Sequence, residues 1–318
     1  MNEILPPWPK TKPEAKKRKV KDKVDEAVNL VVNGGSGVVS EETIEKIAEP
    51  AIKEVLQDDD NIAFRANPGP QTDFLSSPER EVLIGGGKGS SKSYGLMIDP
   101  LRYAGSKHLH AIIIRRTIPD VRDIIFKAKV IYPKAYPGVV YKDNDKMFVF
   151  PSGARIEFGY AETESDLVRY QGQNYTYVGI DEIADFPFAE MLLTYMRANI
   201  RTTDPVNAPP ILRLTANPGA VSSAYIKKEF VDPAPAGQTF WTSTTIVDPR
   251  TREKKIIYIS KKYIHSTVFD NPHLLQDNTY LAALASLPEI KRKQWVAGNW
   301  DDSESSAFPE ESSIQICM

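Results

Sequence analysis

Gly85 to Ser93 reads Gly-Gly-Gly-Lys-Gly-Ser-Ser-Lys-Ser directly behind the apolar run Val82-Leu83-Ile84. A buried strand that empties into a glycine-rich turn and then a helix lets bare backbone N–H groups converge on an anion. The spacing follows G-x-x-x-x-G-K-[ST] from Gly86 through Gly87, Lys88, Gly89 and Ser90, and departs from it only at Ser91, where the last glycine is expected. Lys92 would then reach the β- and γ-phosphates of a nucleotide, and the Ser93 hydroxyl would hold Mg²⁺. A second run, Tyr177-Val178-Gly179-Ile180-Asp181-Glu182, is rich in strand formers and ends in two adjacent carboxylates. Phosphoryl transfer needs positioning and charge neutralisation more than covalent work, so Asp181 is expected to order the metal and Glu182 to polarise the attacking water.

Other candidates are weaker alone. Thr215 and Asn217 follow the apolar strand starting at Ile211, at the edge where open α/β sheets place ligands, and short polar side chains there can sense a terminal phosphate. The same Asn-Pro-Gly text also makes an ordinary turn. Arg115 and Arg116 emerge behind another apolar strand; either could stabilise transferring phosphoryl charge, in its own subunit or across to a neighbour, with Lys88 competing for that role. Arg116 and Lys88 enter the candidate catalytic set with Glu182 and Lys92. Gln71, one glutamine in a Pro/Gly-rich loop, has no independent claim.

The elements that must position these groups alternate between strand and helix from Phe64 onward, which predicts an α/β fold with a mainly parallel sheet flanked by helices. Expected strands include residues 82–84, 111–114, 177–180 and 211–215, with hairpins at residues 147–158 and 239–260. Expected helices run from residue 91 to 103, bent by Pro100, and over residues 187–198 and 278–296. Eight lysines or arginines between Lys10 and Lys23 suggest a disordered basic tail, and apolar residues recur at helical spacing from Ser40 to Leu56. The division expected is a basic tail and short helix over residues 1–60, one core-forming domain over 61–300, and an acidic, serine-rich tail over 301–318. With 41% hydrophobic residues the chain can bury a large core, and no apolar run approaches the roughly 18 residues of a membrane span. The single cysteine, Cys317, and four histidines exclude a disulfide framework and argue against a protein-built zinc site, so any metal should arrive with the nucleotide.

Taken together, these motifs resemble the ATPase half of a tailed-phage terminase large subunit, over roughly residues 64–300. Asn67-Pro68-Gly69-Pro70-Gln71-Thr72 resembles the family's adenine-reading segment, with Gln71 on the base edge. Gly86 to Ser93 is similar to its deviant phosphate loop, Tyr170-Gln171-Gly172-Gln173 and the Asp181-Glu182 strand to its second ATPase motif, and Thr215-Ala216-Asn217-Pro218-Gly219 to its coupling motif. Asp270-Asn271-Pro272-His273-Leu274 and Gly298-Asn299-Trp300 resemble the segment leading out of the ATPase. The resemblance implies a P-loop ATPase using ATP and Mg²⁺ to translocate double-stranded DNA into a procapsid. It also implies a homo-oligomeric ring on the portal protein, a small terminase subunit as partner, and a place in the host cytoplasm and at the portal vertex, with no membrane involved. Because residues 301–318 are too few for the family's nuclease domain, DNA cleavage is not expected of this chain. A small-molecule P-loop kinase and a nucleotide-dependent assembly scaffold are the rival readings. Basic residues at Arg122, Lys127, Lys129 and Lys134, or at Lys291, Arg292 and Lys293, are candidate DNA contacts or solvated faces.

Overall fold

The computed structural model describes residues 62–275 and 278–301. The basic tail, the helix expected over 40–56 and the acidic tail after Asp301 lie outside the described residues. The chain divides into two units, Met1–Arg65 and Ala66–Met318, and the fold below is that of the second.

Six parallel strands form the middle of a nine-stranded sheet: β5 (Arg155–Tyr160), β2 (His110–Arg115), β6 (Tyr177–Ile180), β7 (Ile211–Ala216), β1 (Glu81–Gly86) and β9 (Lys254–Ser266). Antiparallel strands β3 (Val140–Lys142), β4 (Met147–Val149) and β8 (Thr239–Val247) extend its two ends. The full order is β3-β4-β5-β2-β6-β7-β1-β9-β8. Every residue of β1, β6 and β7 is buried, as expected of strands covered on both faces. One face packs Leu83, Val178 and Leu212 against Phe186, Leu192 and Met196, the last two from the helix Ala189–Asn199. On the other face the helix Lys92–Ile98 lies so close to β6 that a Cβ at Gly179 would sit 3.2 Å from Leu96 Cδ1.

The mainly parallel α/β architecture is as expected, and four differences have physical reasons. The helix after the phosphate loop is α-helical only over Lys92–Ile98 and tightens to a 3₁₀ turn over Asp99–Tyr103, where Pro100 lacks an amide donor. The long helix expected over 278–296 is two, Asn278–Ala285 and Glu289–Trp295, parted at Pro288, whose extended backbone caps the second. An 18-residue helix, Ile118–Ala135, not anticipated, starts at Thr117, whose hydroxyl accepts from the Asp120 amide. Finally, β9 runs six residues past its expected end, so that Lys261–Ser266 pairs with β1. The Lys261 ammonium tolerates burial there because it lies 2.6 Å from Glu229 Oε1 and 3.6 Å from Glu81 Oε2. No helix among the described residues is long and apolar enough to cross a membrane.

Candidate active site

Parallel pairing brings the C-terminal ends of β2, β6, β7, β1 and β9 to one edge, where Ile84 stands beside Thr215 and Ile180 beside Leu214. The loop from β1 to the following helix turns there. Gly86 takes φ 131°, and a Cβ on it would lie 2.2 Å from Ser266 O, so no other residue fits. Gly87 is crowded by the Trp295 and Val296 carbonyls, and Gly89 takes φ 79°. The Gly87 amide donates to Ser266 O at 2.8 Å and the Lys88 amide to Trp295 O at 2.7 Å. Among the described residues the amides of Gly89, Ser90, Ser91 and Lys92 find no acceptor, so four consecutive N–H groups are left for an anion. Ser91, standing for the usual glycine, adopts the left-handed conformation (φ 62°, ψ 24°) all the same.

Lys92 folds back over this loop. Its ammonium donates to Gly87 O and to Ser90 Oγ, the latter at 3.1 Å. Burial, with Lys88 adding its repulsion, pushes it down to about 8 against the pull of Asp181 and Glu182. Across β7 the acidic pair faces the loop: Ser93 Oγ donates to Asp181 Oδ1 at 3.0 Å. Thr215, on the intervening strand, fixes the acidic pair. Its hydroxyl donates to Asp181 Oδ1 at 2.5 Å and accepts from the Glu182 amide at 2.8 Å. Asp181 is fully buried, and Glu182 is turned by a left-handed backbone, φ 54°. Burial and the neighbouring Asp181 raise the Glu182 carboxyl above its ordinary range, opposed by Arg115.

Of the two arginines, Arg115 reaches the pair. Its Nε lies 3.1 Å from Asp181 Oδ2, an ion pair off hydrogen-bond alignment, and one terminal nitrogen lies 3.2 Å from Glu182 Oε2. Arg116 is exposed, and its charge acts on Asp185, whose carboxyl is raised by burial and lowered by Lys88 and Arg116. The strand end after Ile114 signalled both arginines; only tertiary packing separates them.

Gln71, proposed from the resemblance as a base reader, is tied into the packing behind the phosphate loop. It is buried, its Oε1 accepting from the Asn67 amide at 2.7 Å and its Nε2 donating to Ser91 O at 2.8 Å. Its amide therefore grips the phosphate loop, using one N–H and one carbonyl lone pair and leaving one of each for a further partner. Asn271 donates to Gly89 O at 2.7 Å, a second anchor on the loop. Asn217 follows β7 with its Oδ1 buried and unpaired among the described residues, an arrangement that costs about 1–3 kcal/mol unless a donor arrives. Sequence reasoning missed Trp295 and the Tyr263–His265–Ser266 end of β9, because nothing in Lys261-Lys262-Tyr263-Ile264-His265-Ser266 marks a strand beside β1.

A parallel sheet whose first strand turns into a glycine-rich, lysine-bearing loop, facing an acidic pair two strands away, defines the P-loop NTPase class of α/β proteins. Residues 83–314 match the family described as "Terminase large subunit, T4likevirus-type, N-terminal", and the chain belongs to that family. Among solved structures, the large terminase of a thermophilic bacteriophage superposes with a TM-score of 0.51 at 15% identity, covering 74% of this chain and 54% of that one. The same protein in complex with ADP gives a TM-score of 0.50 at 15% identity, covering 73% of this chain and 53% of that one. The large terminase ATPase domain of Thermus phage P74-26 gives 0.50 at 12% identity, covering 74% of this chain and 94% of the domain. At such identities the likeness is one of fold, and the chain spans about half the length of the first of these proteins. Curated proteins offer no match.

Proposed function

We propose that this chain hydrolyses ATP as the motor unit of a phage DNA-packaging machine, driving double-stranded DNA into a procapsid. The observation that carries the reading is the pairing of Ser93 with Asp181 at 3.0 Å, with Thr215 tying Asp181 to Glu182 beside it. The family membership and the relatives solved as an ATPase domain and with ADP support it.

In this reading the amides of Gly89 to Lys92 and the Lys92 ammonium take the β- and γ-phosphates. The Ser93 hydroxyl and Asp181 carboxylate are hard oxygen donors of the kind Mg²⁺ takes in ones and twos when phosphates and water complete its shell; bound there, the ion would neutralise developing phosphate charge. Glu182 orients the attacking water, its raised carboxyl being suited to accept a proton. Arg115 holds Glu182 in place, while Arg116 and Lys88 remain available to transferring charge, Arg116 in its own subunit or a neighbour's. Thr215 and Asn217 relay phosphate occupancy to the following turn, and Gln71 senses it through Ser91. Portal protein, a small terminase subunit and further copies in a ring are the proposed partners, in the host cytoplasm.

Glu182→Gln tests the core of this. The variant should bind Mg–ATP as the parent does and lose turnover by about 10²- to 10⁴-fold. Undiminished steady-state hydrolysis would remove Glu182 from the chemistry.

A further inference from the structure

Two lysines stand in the phosphate loop, and they are held by different means. The Lys92 ammonium is buried and bonded to the loop itself. Lys88 has no carboxylate within ion-pair distance among the described residues. Its ammonium instead lies 3.4 Å from the centroid of the Trp295 ring, on the helix Glu289–Trp295, and its amide donates to Trp295 O at 2.7 Å. Backbone and side chain of one loop residue are thus both referenced to a single tryptophan far along the chain.

The choice of partner matters electrostatically. A carboxylate would hold the ammonium but cancel its field at the loop. A π-face holds it more weakly and leaves the full positive charge in place. That charge is felt nearby, since Lys88 helps depress Lys92 and helps lower Asp185. Two ammonium groups so close repel each other, and an arriving polyphosphate relieves that repulsion.

We propose that Trp295 is a positioning residue for the phosphate loop: its ring seats the Lys88 ammonium beside the loop without neutralising it, so that a nucleotide di- or triphosphate recruits Lys88 as a second cation. The assignment rests on the reading of this loop as a nucleotide site. Since Trp295 leads through Gly298 to Trp300, whose indole Nε1 donates to Tyr263 OH at 2.9 Å on the strand beside β1, the seat is braced from two sides.

The test is a double-mutant cycle read by titration calorimetry of Mg–ADP on the full chain, comparing the parent, Trp295→Leu, Lys88→Met and the double variant. Trp295→Leu should weaken binding by about 3- to 10-fold when Lys88 is present and by less than about twofold in the Lys88→Met background, and Trp295→Phe, which keeps a π-face, should retain most of the affinity. Equal losses in both backgrounds would show Trp295 to be packing only and overturn the proposal; so would no loss in either. Should Trp295→Leu melt before it can be titrated, Lys88→Met alone decides, because parent-like affinity in that variant leaves nothing for Trp295 to position. Failure of the parent chain itself to bind Mg–ADP would overturn the nucleotide reading, and this proposal with it.

Discussion

Lys92 and Ser91 carry the costs of the loop at the level of single side chains. An ordinary lysine titrates near 10.4, and Lys92, pushed down by burial, near 8. Between those values the unfolded chain holds one proton more than the folded one, so this group makes the free protein more stable as pH rises through that window and less stable below it. Phosphate prefers the charged form, so nucleotide affinity should move the other way. Mg–ADP dissociation constants measured from pH 7 to 9.5 are expected to rise above about pH 8, approaching tenfold per pH unit; a flat profile would mean that Lys92 does not meet the phosphates. Ser91 pays for its left-handed backbone, a conformation that costs a residue with a Cβ about 1–2 kcal/mol. Ser91→Gly should therefore melt no lower than the parent, whereas Ser91→Val should be destabilised by about 1–2 kcal/mol in urea unfolding. The motif's departure from the usual glycine was visible in the sequence; that the loop keeps the glycine's conformation was not.

Among the elements, β7 does the most to assemble the site, because it stands between the phosphate-loop strand and the acidic strand. Its outer end presents Thr215 to Asp181, and its middle carries Arg213, fully buried. Arg213 donates to Glu79 O at 2.9 Å and Ser77 O at 2.8 Å, and its Nε lies 3.2 Å from Asp99 Oδ2. Asp99 opens the 3₁₀ turn that follows the loop helix and also pairs with Arg102 at 3.0 Å. The pair thus pins β7 to the helix that carries Lys92 and Ser93. Arg213→Met leaves Asp99 with Arg102 as its one cation and strips the buried Glu79 and Ser77 carbonyls of their donor, so it should cost about 3–5 kcal/mol in urea unfolding, and adding Asp99→Leu should recover part of it. A loss within a few tenths of a kcal/mol would show the pair to be incidental. An arginine inside Ile211-Leu212-Arg213-Leu214 looks in sequence like an interruption of the strand, and its partners come from Ser77 to Asp99, beyond the reach of any local pattern.

At the scale of the whole molecule, the proposed motor must grip DNA without local chemistry that names the contact. Several basic candidates are engaged nearby: Lys127 with Asp123 at 2.5 Å, Lys129 over Tyr141 at 4.2 Å, and Lys293 with Glu289 at 3.1 Å. Any DNA grip is therefore expected to come from phosphate contacts spread over the surface. DNA-stimulated ATP hydrolysis should then weaken steeply as salt rises from 50 to 200 mM, on a log–log slope set by the number of phosphates contacted; stimulation indifferent to salt would sink the electrostatic grip. The chain's own text was enough to mark the candidate phosphate loop and acidic pair and to determine the mainly parallel sheet and the family, because those rest on contiguous residues and on central strands, β1, β6 and β7, buried along their whole length. The strand order that puts β7 between the two motifs, the choice of Arg115 over Arg116, the gripping of the loop by Gln71 and Asn271, and the seat of Lys88 on Trp295 were decided only in three dimensions. Each depends on contacts between residues tens or hundreds of positions apart, and the free energy of such a contact leaves no periodic mark on the sequence near either partner.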